Sequence, residues 1–173
     1  MNEPATPRAT LAVALLICSD RAASGARGDE TADRIRPRLE GAGHRLVTVR
    51  IVADQRAAIE AALRELARDH AIVLTSGGTG VSPRDVTVEA TRAVVEREVP
   101  GLGEAMRARS LAATPTAMLS RATAGTLGAS LIVNLPGSPE GAVECLDVVL
   151  PVLPHAARLL AGSVADCQKE IGR

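Results

Sequence analysis

Three aspartates and one glycine turn are the residues of this chain best suited to chemistry. The segment Val73-Leu-Thr-Ser-Gly-Gly-Thr-Gly-Val-Ser-Pro-Arg-Asp85 runs from an apolar stretch into Gly77-Gly-Thr-Gly80 and ends on a cation and a carboxylate. Glycines let a backbone turn sharply and approach a bound group closely. A strand, a glycine turn, hydroxyls, a charge pair and a helix start together make a seat for phosphates and a metal. On spacing alone the turn also suits a ligand-free strand-to-helix connection. No Gly-Lys-Ser/Thr follows it, so it is not a Walker A loop, and Gly101-Leu-Gly103 lacks the third glycine of a dinucleotide fingerprint. Without a loop lysine, phosphate charge must be offset by arginines, backbone amides or a divalent ion. Asp20, Asp54 and Asp85 are candidates for the last role, since Mg2+ takes one or two carboxylates plus substrate phosphates. Taken singly, each aspartate also suits a helix cap or a solvated turn.

The elements that must position these residues follow from hydrophobic periodicity. Leu11–Cys18, Leu46–Val52, 71–74 and Leu131–Leu135 read as strands, the first a continuous apolar run of the kind buried on both faces. Helices are expected over Glu30–Glu40, Gln55–Asp69, Thr87–Arg97, Gly103–Ala113 and Pro139–Leu150, with a last one over His155–Leu160 after Pro151 and Pro154. Ser19–Asp29 reads as a glycine-bearing loop and Met118–Thr126 as an irregular or edge strand. Ser138 is a fair helix cap and Pro139 a fair first helical residue. The alternation implies a three-layer α/β domain, a mostly parallel sheet with helices on both faces. Ligands of such sheets bind outside the carboxyl ends of the strands. Ser19-Asp20, Asp54, 76–85 and 134–138 all leave such ends, so independent strands aim polar and glycine-rich loops at one edge. Met1–Thr10 reads as a loose leader, 11–162 as the domain and 163–173 as a C-terminal tail.

Composition narrows the partners. The 173 residues include no Phe, Trp or Tyr, and the formal net charge is zero. Broad attraction to nucleic acid or to an anionic membrane is therefore not expected, and the aromatic stacking used on single strands is unavailable. Every one of the 20 basic residues except Lys169 is arginine, which suits bidentate phosphate contacts. Arg121, set among Ala and Thr, reads as a ligand clamp or a subunit contact. Cys18, Cys145 and Cys167 form neither a disulfide framework nor a zinc pattern, and His44, His70 and His155 are isolated. Leu11–Cys18 is too short to span a bilayer and lacks the marks of a signal peptide, so a cytoplasmic protein is expected. With no Ser–His–Asp ordering and no reactive-cysteine setting, group transfer between bound phosphates is the better chemical expectation.

Several segments taken together resemble one family. Thr75-Ser-Gly-Gly-Thr-Gly80 with Arg84-Asp-Val-Thr87, Arg97-Glu-Val-Pro-Gly-Leu-Gly-Glu104, Leu119-Ser-Arg121, Asn134-Leu-Pro-Gly-Ser-Pro139, Ser19-Asp-Arg21 and Asp54 look like the Mog/MoaB family of molybdopterin-binding proteins, related to the gephyrin G domain. The likeness runs over about Leu11–Gly162, and the ordered set is specific. The resemblance implies a homotrimer that binds the pterin dithiolene phosphate. In its Mog branch it implies adenylylation of molybdopterin by ATP with Mg2+, for a downstream molybdenum-insertion protein. It places Asp54 and Asp85 at the metal and the transfer, and Ser19, Asp20, Thr75, Gly77, Gly78, Thr79 and Gly80 at the phosphates and nucleotide. Ser110, Arg121, Pro136, Gly137 and Ser138 fall at the pterin. Leu102 stands where the family often carries an aromatic, keeping apolar contact without ring stacking. The alternative is a non-catalytic MoaB-type pterin-binding or carrier protein of the same fold.

Overall fold

The computed structural model describes residues 10–26 and 30–162. The leader apart from Thr10, the tail at 163–173 and positions 27–29 of the first loop lie outside the described residues. Strands β1 (Ala12–Cys18), β2 (Arg45–Val52), β3 (Ile72–Ser76), β4 (Arg97–Glu98), β5 (Ala124–Leu127) and β6 (Ser130–Leu135) form a six-stranded sheet in the order β2-β1-β3-β6-β5-β4. The pairs β2/β1, β1/β3 and β3/β6 are parallel, while β6/β5 and β5/β4 are antiparallel. Four carboxyl ends therefore point to one edge of the sheet.

Helices cover both faces. On one side α2 (Thr31–Gly41), α5 (Pro100–Leu111), α6 (Pro139–Val149) and α7 (Leu153–Leu160) bury Ile35, Leu39, Met106, Leu146 and Leu153 against Leu15, Leu74 and Val133. On the other, α3 (Arg56–Asp69) and α4 (Thr87–Val94) bury Ile59, Leu63, Leu66, Ala90 and Val94 against Leu16, Val73 and Ile132. Neighbouring residues of β1, β3 and β6 thus pack into opposite cores, which is why those strands are apolar throughout. β2 is an edge strand, and its Val47, Val49 and Ile51 stay exposed.

The expected helices and central strands are present, with differences that have local causes. Ser19 caps a short helix, α1 (Asp20–Ala23), accepting from the Ala22 amide at 3.2 Å where a loop was expected. The helix expected over Thr87–Arg97 stops at Val94, because Arg97 and Glu98 pair with Thr126 and Gly125 as an edge strand. A Cβ on Gly125 would press within 2.7 Å of the Val95 side chain, so only glycine admits that approach. The next helix begins at Pro100, earlier than expected, with proline in its first turn. Met118–Thr126 divides into a 3-10 turn, Pro115–Leu119, and β5. The last helix starts at Leu153, with Pro154 in its first turn.

One polar network lies beneath the strand ends. Asn134 is fully buried and its Nδ2 donates to Thr75 Oγ1 at 3.0 Å and to Thr91 Oγ1 at 2.9 Å. This ties β3, β6 and α4 together directly under the glycine turn. Asn134→Ala strands two buried hydroxyls, and the expected cost is about 2–3 kcal/mol, read by urea denaturation.

Candidate active site

The turn after β3 exists because two strand ends and a helix crowd it. Gly77 has φ +100 and Gly78 φ +65. A Cβ on Gly77 would collide with the Cys18 carbonyl oxygen, and one on Gly78 with Thr87 Oγ1. From the other side, Gly137 packs so closely that its Cβ would stand 3.1 Å from Gly77 Cα. Ser76 Oγ donates to the Pro136 carbonyl at 3.0 Å and fastens the β3 and β6 ends together. Ser138 caps α6, its Oγ accepting from the Gly141 amide at 3.2 Å.

The aspartates converge on the same edge. The Asp20 amide donates to Asp54 Oδ2 and the Asp54 amide donates to Asp20 Oδ1, both at 3.0 Å. Asp20 also pairs with Arg84, which links this knot to the loop carrying Asp85. Asp85 closes its own turn, its Oδ2 accepting from the Ser82 amide at 2.8 Å. Asp20 is thereby committed to protein partners, whereas Asp54 Oδ1 is buried with no partner. Burial first, and then the charge of Asp85, hold the Asp54 carboxyl above its usual range. A buried, unpaired carboxylate oxygen that feels the charge of a second carboxylate is a donor set that a cation would satisfy. Among the described residues no group of three or more His, Cys, Asp or Glu side chains is placed to hold a metal. A cation there would need further oxygens from a substrate, a pattern that suits Mg2+ and phosphates.

Two cavities flank the glycine turn and share Gly137 and Ser138 as their common wall. One, of about 590 Å³, is bordered by Cys18, Ser19, Arg21, Glu30, Gly77 and Glu140. The other, of about 390 Å³, is bordered by Gly78, Thr79, Gly80, Asp85, Arg107, Ser110, Pro136, Glu144 and Cys145. In the second, Ser110 Oγ donates to Glu144 Oε2 at 3.4 Å, and Arg107 Nη1 donates to the Ala122 carbonyl at 2.7 Å. Burial pushes the Cys18 thiol up to about 12, with the Asp54 charge adding to it, and burial likewise raises Cys145. Neither thiol is a nucleophile at neutral pH.

Of the expected site residues, Ser19, Gly77–Gly80, Asp85, Ser110, Pro136, Gly137 and Ser138 border the cavities, whereas Asp20, Asp54, Thr75 and Arg121 border neither. Asp20 and Asp54 sit in their own hydrogen-bonded knot at the same strand ends. Thr75 is fully buried, its Oγ1 accepts from Asn134, and it borders neither cavity, so it underpins the loop. Arg121 borders neither cavity; its guanidinium donates to the Gly80 and Asp85 carbonyls and to Glu89. Each cavity is bordered by one basic side chain among the described residues, Arg21 and Arg107; the sequence reading quoted Arg21 only within a motif and gave it no role, and it missed Arg107. Helical spacing carried a signal for Arg107: Gly103, Met106, Arg107 and Ser110 fall on one stripe of α5, and the first two are buried.

Comparison with known proteins gives this geometry relatives. A family model described as a probable molybdopterin binding domain matches residues 14–155. The chain is 40% identical to a molybdopterin adenylyltransferase of Helicobacter pylori over 161 residues, covering 89% of this chain and 90% of that protein. It is 38% identical to the molybdopterin adenylyltransferase of Escherichia coli over 181 residues, covering 94% and 91%. Among solved structures, the molybdopterin biosynthesis enzyme MoaB of Thermus thermophilus superposes with a TM-score of 0.83 at 47% identity, covering 88% of this chain and 98% of that one. The Mog protein of Mycobacterium ulcerans superposes with a TM-score of 0.81 at 39% identity, covering 89% and 99%. A nearly full-length match, the shared sheet and the glycine-lined strand ends lead to one conclusion: this chain belongs to the Mog/MoaB family of molybdopterin-binding domains.

Proposed function

We propose that this chain is a molybdopterin adenylyltransferase, moving AMP from ATP to the terminal phosphate of molybdopterin. The observation that carries the reading is the pair of cavities meeting at Gly137–Ser138, with Ser19 bordering one and Asp85 the other. Two substrates seated on either side of so thin a wall can bring their phosphates together. Relatives named molybdopterin adenylyltransferase, matched over nine-tenths of their length, support the same activity.

In this reading the nucleotide takes the larger cavity and the pterin the smaller, beside Ser110, Pro136, Gly137 and Ser138. A phosphate oxygen of molybdopterin attacks the α-phosphorus of ATP; the new P–O bond forms as the bond to the β-phosphate oxygen breaks, and pyrophosphate leaves. Amides of Gly77–Gly80 donate to the phosphate oxygens, and Asp54 and Asp85 hold Mg2+. When bound, Mg2+ supplies positive charge that offsets the phosphates and the developing negative charge of the transfer. No side chain forms a covalent intermediate; positioning and charge stabilisation do the work.

The test is to incubate the purified protein with molybdopterin, ATP and Mg2+ and to follow adenylylated pterin and pyrophosphate by mass spectrometry. Product formation is expected. Pterin binding without product would instead favour a carrier of the same fold. We carry a homotrimer in the same reading: the exposed stripe of Val47, Val49 and Ile51 supplies apolar surface that an assembly would cover, and sedimentation equilibrium reads the stoichiometry. A cytoplasmic site, with a molybdenum-insertion protein consuming the product, completes it. Among the described residues no helix is long and apolar enough to cross a membrane.

A further inference from the structure

The loop that bears Asp85 has one side chain at its hub. Arg121 follows the Pro115–Leu119 turn and reaches into the 79–85 loop. Its Nε donates to the Gly80 carbonyl at 2.6 Å and its Nη2 to the Asp85 carbonyl at 2.8 Å. Its guanidinium also pairs with Glu89 in the first turn of α4, and its own amide donates to the Thr79 carbonyl at 2.8 Å. That ion pair is firmly charged at neutral pH, because the hydrogen bond from Arg121 holds the Glu89 carboxyl below its usual range. The Asp85 carboxylate is in turn seated by the Ser82 amide, and it lies over Gly80, where a Cβ would come within 2.8 Å of Oδ2. Arg121 thus grips the loop at 79, 80 and 85 while anchored on a helix.

We propose that Arg121 is a positioning residue, which sets the Asp85 carboxylate for its cation without touching either substrate. The inference rests on the reading of Asp85 as a cation-holding carboxylate. It departs from the sequence expectation of a pterin clamp, since the guanidinium is engaged by carbonyls and Glu89 and borders neither cavity. Lysine cannot replace it: a single ammonium does not reproduce a planar fork that satisfies two carbonyls and a carboxylate at once.

The experiment compares wild type, Arg121→Lys, Arg121→Ala and Asp85→Ala. Mn2+ binding, read by electron paramagnetic resonance, is expected to weaken by about 10–100-fold in both Arg121 variants. In Arg121→Ala, free guanidinium ion at a concentration that leaves the fold intact should recover part of that binding. In the transfer assay kcat should fall by about 10²-fold while KM for molybdopterin stays at its wild-type value. Wild-type Mn2+ affinity in both Arg121 variants would overturn the inference, whatever happens to their melting temperatures. So would a loss confined to KM for molybdopterin, which would make Arg121 a substrate contact. Wild type that binds Mn2+ no better than Asp85→Ala would overturn it too. Should wild type fail to adenylylate molybdopterin, the function falls while the Mn2+ comparison still judges Arg121.

Discussion

Asp85→Ala lowers adenylyl transfer by about 10²-fold or more, and Asp54→Asn does the same, with the fold intact in both. In the proposed reading, removing either carboxylate takes away one of the two acidic groups that would hold the cation against the phosphates. The two variants separate in stability. Burial, then the Asp85 charge, holds the Asp54 carboxyl above its usual range, so the folded chain binds more protons than the unfolded chain between the ordinary carboxylate value and the raised one. The contribution of Asp54 therefore favours folding at low pH and turns against it as pH rises through that window. Asp54→Asn should melt above wild type at about pH 8 and lose that advantage at about pH 4. Calorimetry across this range, without metal, checks the sign. An Asp54→Asn protein that melts below wild type at high pH would show that the charge is not strained.

Gly77→Ala is the most damaging small substitution in the glycine turn. Its φ of +100 disfavours any side chain, and the added methyl would meet the Cys18 carbonyl, which belongs to β1 and cannot step aside cheaply. The expected loss is about 3 kcal/mol, or roughly 6–12 °C in Tm for a chain of this size. Activity should fall further than stability, because any relief displaces the wall between the two cavities. Gly128→Ala is the matched control: φ is +56, but nothing lies within 4 Å of the new Cβ. It should cost only about 1–2 kcal/mol and leave transfer unchanged. Equal losses at the two positions would mean that backbone conformation alone, and not the contact with β1, makes Gly77 necessary.

The sheet was legible where burial was symmetrical. β1, β3 and β6 are enclosed on both faces, so their apolar runs announce them, and the parallel order then brings Ser19, Asp54, Gly77 and Gly137 to one edge. α1 spans only Asp20–Ala23 and is too short to show a period, while β4 is a pair of charged residues recognisable only from its partners in β5. Side-chain direction was the least legible. Thr75 and Arg121 both have the chemistry of ligand contacts. Asn134 claims the first, and the carbonyls of Gly80 and Asp85 claim the second. A backbone oxygen leaves no trace in residue types. Arg107 was missed for the converse reason: on a helix that also carries Arg109, its place on the buried stripe is what sets it apart.

The position of β6 has a consequence for how the protein comes into being. Among the described residues it is the last strand to be synthesised, yet it inserts between β3 and β5. Until Leu135 has left the ribosome, β3 has an open edge and β5 lacks the neighbour that joins it to the rest of the sheet. The wall at Gly137–Ser138 that divides the two cavities emerges immediately afterwards. Both cavities therefore become complete together, late, once the sheet closes around β6.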